Sequence, residues 1–153
     1  MSAMAAAAAE AAVHVACPAC LRANRIPATR LRDRPRCGAC GSALLDGIPV
    51  VLDEASFDAF VRRTELPVVV DFWARWCGPC RSMAPAFEAA AARFAGRARF
   101  AKLDTEAAPA VAARFGIRAI PTLVLLRGGR EVARISGAMD DAALTRWVAA
   151  QIR

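Results

Sequence analysis

The chain has 153 residues, 57% of them hydrophobic, enough for one packed domain plus a smaller appendage. No run approaches the roughly 18 continuous apolar residues of a membrane-spanning helix, so no such span is expected. The formal net charge of +7 would suit nucleic acid or an acidic partner, but no aromatic residues interleave the arginines between Arg22 and Arg36 to stack on bases. A solvated basic loop is expected there, and nucleic acid is not an expected partner.

Residues 1–12 are rich in alanine. They lack the basic start of a signal peptide and are interrupted by Glu10, so they read as a disordered or fraying tail, with export as the alternative. All six cysteines then fall into three Cys-x-x-Cys pairs. A secreted disulfide scaffold spreads its cysteines across many loops; close pairs point to metal binding and redox chemistry in a reducing compartment, by default the cytoplasm.

The first two pairs, Cys17/Cys20 and Cys37/Cys40, are separated by Leu21 to Arg36. That spacing is a signature of a four-thiolate zinc ribbon holding one structural ion, expected over residues 13–46. Gly38 and Gly41 would permit the tight knuckles. A segment this short cannot bury enough apolar surface alone, so a metal is the natural staple. The alternative is that these pairs are redox dithiols, or that they oxidise to disulfides once zinc is lost. His14 reads as an exposed side chain, since four cysteines already fill the shell.

Gly47 and Pro49 punctuate a junction near Asp46, and a second domain is expected over residues 47–153. Val50 to Leu52 reads as an edge strand, followed by a helix capped by Ser56 with Phe57, Phe60 and Val61 on its apolar face. Leu66 to Trp73 is apolar on both faces, as in a sheet covered by helices. A helix from Pro79 to about Phe94 follows, kinked at Pro85 and ended by Gly96. Arg99 to Asp104 should lie parallel to the preceding strand. After a helix from about Ala107 to Phe115, Thr122 to Leu126 and Glu131 to Ser136 form a hairpin across Gly128-Gly129. Asp140 caps a last helix whose Leu144, Trp147, Val148 and Ile152 face the core. The fold class is α/β, a central mixed sheet flanked by helices.

The third pair, Cys77 and Cys80, falls where a buried strand hands over to a helix. Both thiols lie at the positive end of a helix dipole, where a thiolate is favoured. Cys77, at the helix start, is expected to be the exposed nucleophile, and Cys80, one turn inward, the buried resolving thiol. Asp71 lies in mid-strand, where burial should raise its pKa towards neutrality. The plainer alternative is that it hydrogen-bonds backbone at a strand end.

WCGPC within VDFWARWCGPCRSMAP resembles the active-site segment of the thioredoxin family, and the similarity extends over about residues 50 to 153. Ribbon and redox domain together resemble the zinc-containing thioredoxin 2 type. The resemblance implies a thioredoxin fold and a protein-disulfide reductase, an enzyme recharged by thioredoxin reductase and NADPH, acting on disulfide-containing proteins as a monomer without a bound organic cofactor. It implies a redox disulfide Cys77–Cys80, and makes Asp71 the buried acid that assists Cys80, with Lys102 near it. Pro121 would be cis and packed against the dithiol, and Trp76, Gly78, Pro79, Ile120, Pro121, Gly137 and Ala138 would receive substrate. Arg75, where the best-known members carry an acid, and Arg118 make the rim more basic. The alternatives are an isomerase or oxidant, or a redox-sensing binding protein that releases zinc and then binds unfolded chains or nucleic acid.

Overall fold

The computed structural model describes residues 11–153. The tail expected over 1–12 lies almost wholly outside the described residues. Ala12, read as its last residue, instead opens the first strand, where it is in register with Pro27.

Strands β1 (Ala12–Ala16) and β2 (Ala23–Pro27) form a small antiparallel sheet. A cysteine knuckle follows β1, and a second, bridged by Arg36 and Ala43, lies beyond it. The two share one backbone turn: Leu21 N–H donates to the Cys17 carbonyl and Gly41 N–H to the Cys37 carbonyl, each at 2.9 Å. The last residue of each turn is left-handed, Leu21 at φ +67° and Gly41 at φ +78°. Glycine takes that conformation without a side-chain penalty, whereas leucine incurs roughly 1–2 kcal/mol. Gly38 is not left-handed; its N–H donates to Asn24 Oδ1 at 2.9 Å instead.

The larger unit is built on a five-stranded sheet of order β3-β5-β4-β6-β7. Its strands are β3 (Val50–Leu52), β4 (Val68–Trp73), β5 (Arg99–Asp104), β6 (Thr122–Arg127) and β7 (Arg130–Ser136). β5 pairs in parallel with both β3 and β4, whereas β6 runs antiparallel to β4 and β7. Four helices flank the sheet: α1 (Phe57–Arg62), α2 (Gly78–Arg93), α3 (Pro109–Arg114) and α4 (Asp141–Gln151). The expected edge strand, parallel crossover and hairpin are all present.

Alternation along β4 divides the core. Val68, Val70 and Phe72 pack with Phe57, Phe60 and Val61 of α1 and Val111 of α3. Val69 points the other way, into Met83 and Phe87 of α2 and Leu144 and Val148 of α4. Asp71 alternates with Val70 and Phe72, which puts it on the α2 face. Local capping follows expectation at α4, where Asp140 Oδ1 accepts from Ala143 N–H at 2.8 Å. At α1 it differs: Ser56 has helical backbone and does not cap through its side chain. The helical turn begins earlier, as a reciprocal pair in which Ser56 N–H donates to Asp53 Oδ1 and Asp53 N–H to Ser56 Oγ. Asp53 is the capping residue of this box.

The small sheet docks on the larger unit just beyond α1. Glu65 N–H donates to the His14 carbonyl at 2.8 Å, and His14 N–H donates back to Glu65 Oε1 at 2.6 Å. Ala16 N–H donates to the hydroxyl of Thr64, which donates in turn to the Phe60 carbonyl. Leu66 packs with Cys17, Cys37, Leu44 and Leu45. β1 therefore pairs with residues 64–65 and is anchored by buried apolar contact as well as by hydrogen bonds.

Candidate active site and metal-binding cluster

Cys77 is the residue before α2, with extended backbone (φ −81°, ψ 108°) and Pro79 in the first turn behind it. Its Sγ accepts the Cys80 N–H at 3.2 Å and is joined to Cys80 in a disulfide. A sulfur held there feels one of the free N–H groups of the helix start and the positive end of its dipole, both of which favour a thiolate once the bond is reduced. Cys77 was expected to be exposed, but in the disulfide form it is 3% exposed and Cys80 2%. The reason is local cover: Ala74, Trp73 and Ile120 pack against the pair. The Ile120 carbonyl lies 3.8 Å from Cys77 Sγ. α2 continues through Pro85 as one segment.

The Ile120–Pro121 bond is cis. Its loop is braced on both sides: Gly137 N–H donates to the Pro121 carbonyl at 2.9 Å, and the Thr122 hydroxyl donates to the Ala119 carbonyl at 2.6 Å. Gly137, left-handed at φ +101°, and Ala138 lie exposed beside it. Trp76 is 66% exposed, yet its indole Nε1–H is tied to Glu106 Oε1 at 2.6 Å. Glu106 was not foreseen; it is thirty residues away on the loop after β5, and no local pattern announces it. Ile120 packs against the disulfide; Trp76 and Pro79 are exposed beside the cysteines in sequence, and Gly78 is half-buried at the helix start. Arg75 and Arg118 are exposed near these residues in sequence.

Asp71 is fully buried, and neither carboxylate oxygen has a hydrogen-bond partner among the described residues. The alternative of a carboxylate bonded to backbone is therefore not met. Burial pushes its pKa up to about 7, opposed by the charge of Lys102, its register partner on β5. On the same face of β4, Val69 two residues before it packs under α2 and Trp73 two residues after it packs against the disulfide. The acid lies between the helix core and the sulfurs. Lys102 Nζ sits 4.4 Å from the centre of the Trp73 ring.

At the other end of the chain, the sulfurs of Cys17, Cys20, Cys37 and Cys40 lie within 4.8 Å of one another. Across the two knuckles, Cys17 and Cys40 are 3.5 Å apart and Cys20 and Cys37 3.7 Å. Sulfurs at ~2.3 Å from one tetrahedral ion would stand just under ~4 Å apart, so the donor set fits a structural metal. The Cys37 thiol is held down to about 6 by the Cys40 backbone N–H first, then by the Asn24 side chain and the Ala39 N–H. Asn24 joins the knuckles: its Nδ2 reaches both Cys37 Sγ (3.5 Å) and the Arg22 carbonyl (3.0 Å). Sequence reasoning missed it, since an asparagine thirteen residues from the cysteine carries no motif. His14 is exposed and bonded to Glu65, outside the cluster.

The family model described as Thioredoxin matches residues 48–150, about two thirds of the chain. The chain belongs to the thioredoxin family. Residues 16–42 match a second model, described as Thioredoxin 2, N-terminal. Among curated proteins, Thioredoxin C-3 of Corynebacterium nephridii is 45% identical over 139 residues, covering 91% of this chain and 95% of that one. A bifunctional thioredoxin reductase/thioredoxin of Mycobacterium leprae is 44% identical over 100 residues, 65% of this chain and 22% of that one. A mutant thioredoxin from Halobacterium salinarum NRC-1 superposes with a TM-score of 0.64 at 30% identity, covering 71% of this chain and 95% of that structure. The fold is the thioredoxin fold, and this member is a thiol–disulfide oxidoreductase with a metal-fitting N-terminal ribbon. No helix among the described residues is long and apolar enough to cross a membrane.

Proposed function

We propose that this thioredoxin reduces disulfides in other proteins by a two-step exchange at Cys77 and Cys80. In the reduced enzyme, the Cys77 thiolate attacks one sulfur of a substrate disulfide and the other leaves as a thiolate. Cys80 then loses its proton to Asp71 and attacks Cys77 Sγ. The second substrate sulfur departs as a thiolate, and the two electrons leave the enzyme as its own disulfide forms. The observation that carries this reading is a buried, unpartnered carboxyl on the face of β4 where Trp73, two residues on, packs against the sulfurs. A solvent-shielded carboxyl whose pKa lies near neutrality is poised to take a proton and return it.

The residue roles follow. Cys77, Cys80 and Asp71 exchange electrons and protons, and Lys102 limits how far burial raises the acid. Pro121 and the Ile120 backbone would align an extended substrate segment beside the sulfurs, as strand addition does elsewhere. Trp76, Gly78, Pro79, Gly137 and Ala138 complete the surface that receives it. Recharging is by thioredoxin reductase at the expense of NADPH, in the cytoplasm, with the enzyme acting as a monomer.

Cys17, Cys20, Cys37 and Cys40 are the ligands of one zinc ion. When bound, the ion supplies folding energy to a segment too small to hold its own core; it takes no part in electron transfer. The functional units are the ribbon over 13–46 and the thioredoxin domain over 47–153.

The test is NADPH-coupled reduction of insulin disulfides with thioredoxin reductase present. Wild type should turn over and Cys77→Ser should not; an active Cys77→Ser variant would overturn the proposal. Equilibration with a glutathione buffer separates a reductase from an isomerase or oxidant by the fraction left reduced.

A further inference from the structure

Arg99 opens β5, its N–H bonded to the Pro67 carbonyl at 2.8 Å, and it is 3% exposed. Its guanidinium lies over the Phe60 ring at 5.7 Å, while Nε and Nη2 are buried without a hydrogen-bond partner among the described residues. A buried cation in that condition is costly, and native proteins pair such groups. Phe60 belongs to the same apolar cluster as Ala16, the residue before the metal-site cysteine Cys17, and Cys17 itself is fully buried. Arg99 therefore lies in the seam where the ribbon meets the sheet.

We propose that Arg99 is the counter-charge of the metal-loaded ribbon. A divalent ion held by four thiolates leaves a net double negative charge, and in a dry seam that charge and the guanidinium offset each other's desolvation. Consistent with this, burial lowers the Arg99 pKa to about 10, and the charges opposing the shift are Asp46 and Cys17. Asp46 is exposed and already accepts the Ile48 N–H at 3.0 Å, so water screens its contribution. Coupling of this kind is reciprocal: Arg99 tightens the metal, and the metal stabilises the start of β5.

The inference rests on the four-thiolate zinc reading, and the two fail separately. Zinc content of the purified wild type is measured first; a protein without stoichiometric zinc sinks the zinc reading. Zinc affinity is then measured by chelator competition in wild type, Arg99→Met and Arg99→Lys. The Met variant should lose about tenfold, the lower range for a group supporting a metal site, with insulin reduction retained. The Lys variant, which keeps the charge, should stay within about threefold. Unchanged affinity in the Met variant would overturn the inference, as would equal losses in Met and Lys, which would assign the effect to shape. If Arg99→Met does not fold, Arg99→Gln takes its place, scored by the rise in unfolding temperature that zinc adds. That rise must shrink in Gln and persist in Lys; any other pattern counts against the counter-charge.

Discussion

Asp71 and Lys102 are register partners across β4 and β5, yet the ammonium stacks on Trp73 at 4.4 Å and the carboxylate has no hydrogen-bond or ion-pair partner among the described residues. Lys102 is thus close enough to oppose the upward pKa shift but does not cancel it. The sign of the linkage is definite. Because the folded pKa (about 7) lies above the unfolded one, the folded state holds a proton that the unfolded state has released, and stability falls as pH rises from about 4 to 7. Asp71→Asn removes that loss. In the oxidised protein it should gain roughly 2–3 kcal/mol more over wild type at pH 8 than at pH 5, read by urea unfolding at both pH values. A pH-independent difference would mean that the acid titrates normally.

The same substitution should slow turnover. With no internal proton acceptor for Cys80, insulin reduction at pH 7 is expected to drop at least about tenfold. The deficit should narrow as pH rises towards the ordinary thiol range of about 8.5, where water and hydroxide suffice. A deficit that stays constant with pH would point to altered packing instead of proton transfer.

Glu106 fixes the indole of an exposed tryptophan on the surface proposed to receive substrate. Glu106→Ala releases Trp76 from one hydrogen bond without touching the sulfurs. KM for a protein disulfide should rise about two- to fivefold with kcat nearly constant, since one exposed hydrogen bond is worth roughly 0.5–1 kcal/mol. The steady-state split between KM and kcat checks it; a fall in kcat alone would assign Glu106 to the chemistry.

The ribbon seam carries its own prediction. Thr64 is fully buried and its hydroxyl serves both the Ala16 N–H and the Phe60 carbonyl. Thr64→Val keeps the shape but orphans a buried donor, at about 1–3 kcal/mol. Thr64→Ser should recover most of this. Both are read by denaturant unfolding of the zinc-loaded protein, and a neutral Thr64→Val would mean that the seam is solvated.

Asn24→Ala removes the side chain that donates both to Cys37 Sγ and to the Arg22 carbonyl beside the first knuckle. Zinc retention against a chelator should weaken about tenfold, with disulfide reduction intact, because the two sites are chemically separate. Loss of both would show that the ribbon is required for the redox fold.

The chemistry-bearing residues were legible where their meaning is local. Three Cys-x-x-Cys pairs separate into one set between a strand and a helix and two without that context, and the structure keeps that division. Asp71 stood out because a carboxylate in an apolar strand is anomalous in the one-dimensional pattern itself. The cis bond before Pro121 came from resemblance, since the residues alone do not specify it. What the sequence did not disclose lies in long-range pairs. Trp76 finds Glu106 thirty residues away and Ala16 finds Thr64 forty-eight residues away. The burial of Cys77 is of the same kind, because Ile120 arrives from another loop. Two local readings also gave way: Asp53 displaced Ser56 as the cap of α1, and of the two knuckle glycines only Gly41 is left-handed, Gly38 being held by its N–H to Asn24 instead.

Trapping the first covalent intermediate addresses the reaction most directly. Reduced Cys80→Ser enzyme is mixed with an oxidised protein substrate, quenched with acid, and the adduct located by peptide mass mapping. The expected product is a single mixed disulfide at Cys77 that a second thiol can release. A substrate bonded to another cysteine of the chain, or no adduct while the wild type reduces the same substrate, would contradict the assignment of Cys77 as the attacking sulfur.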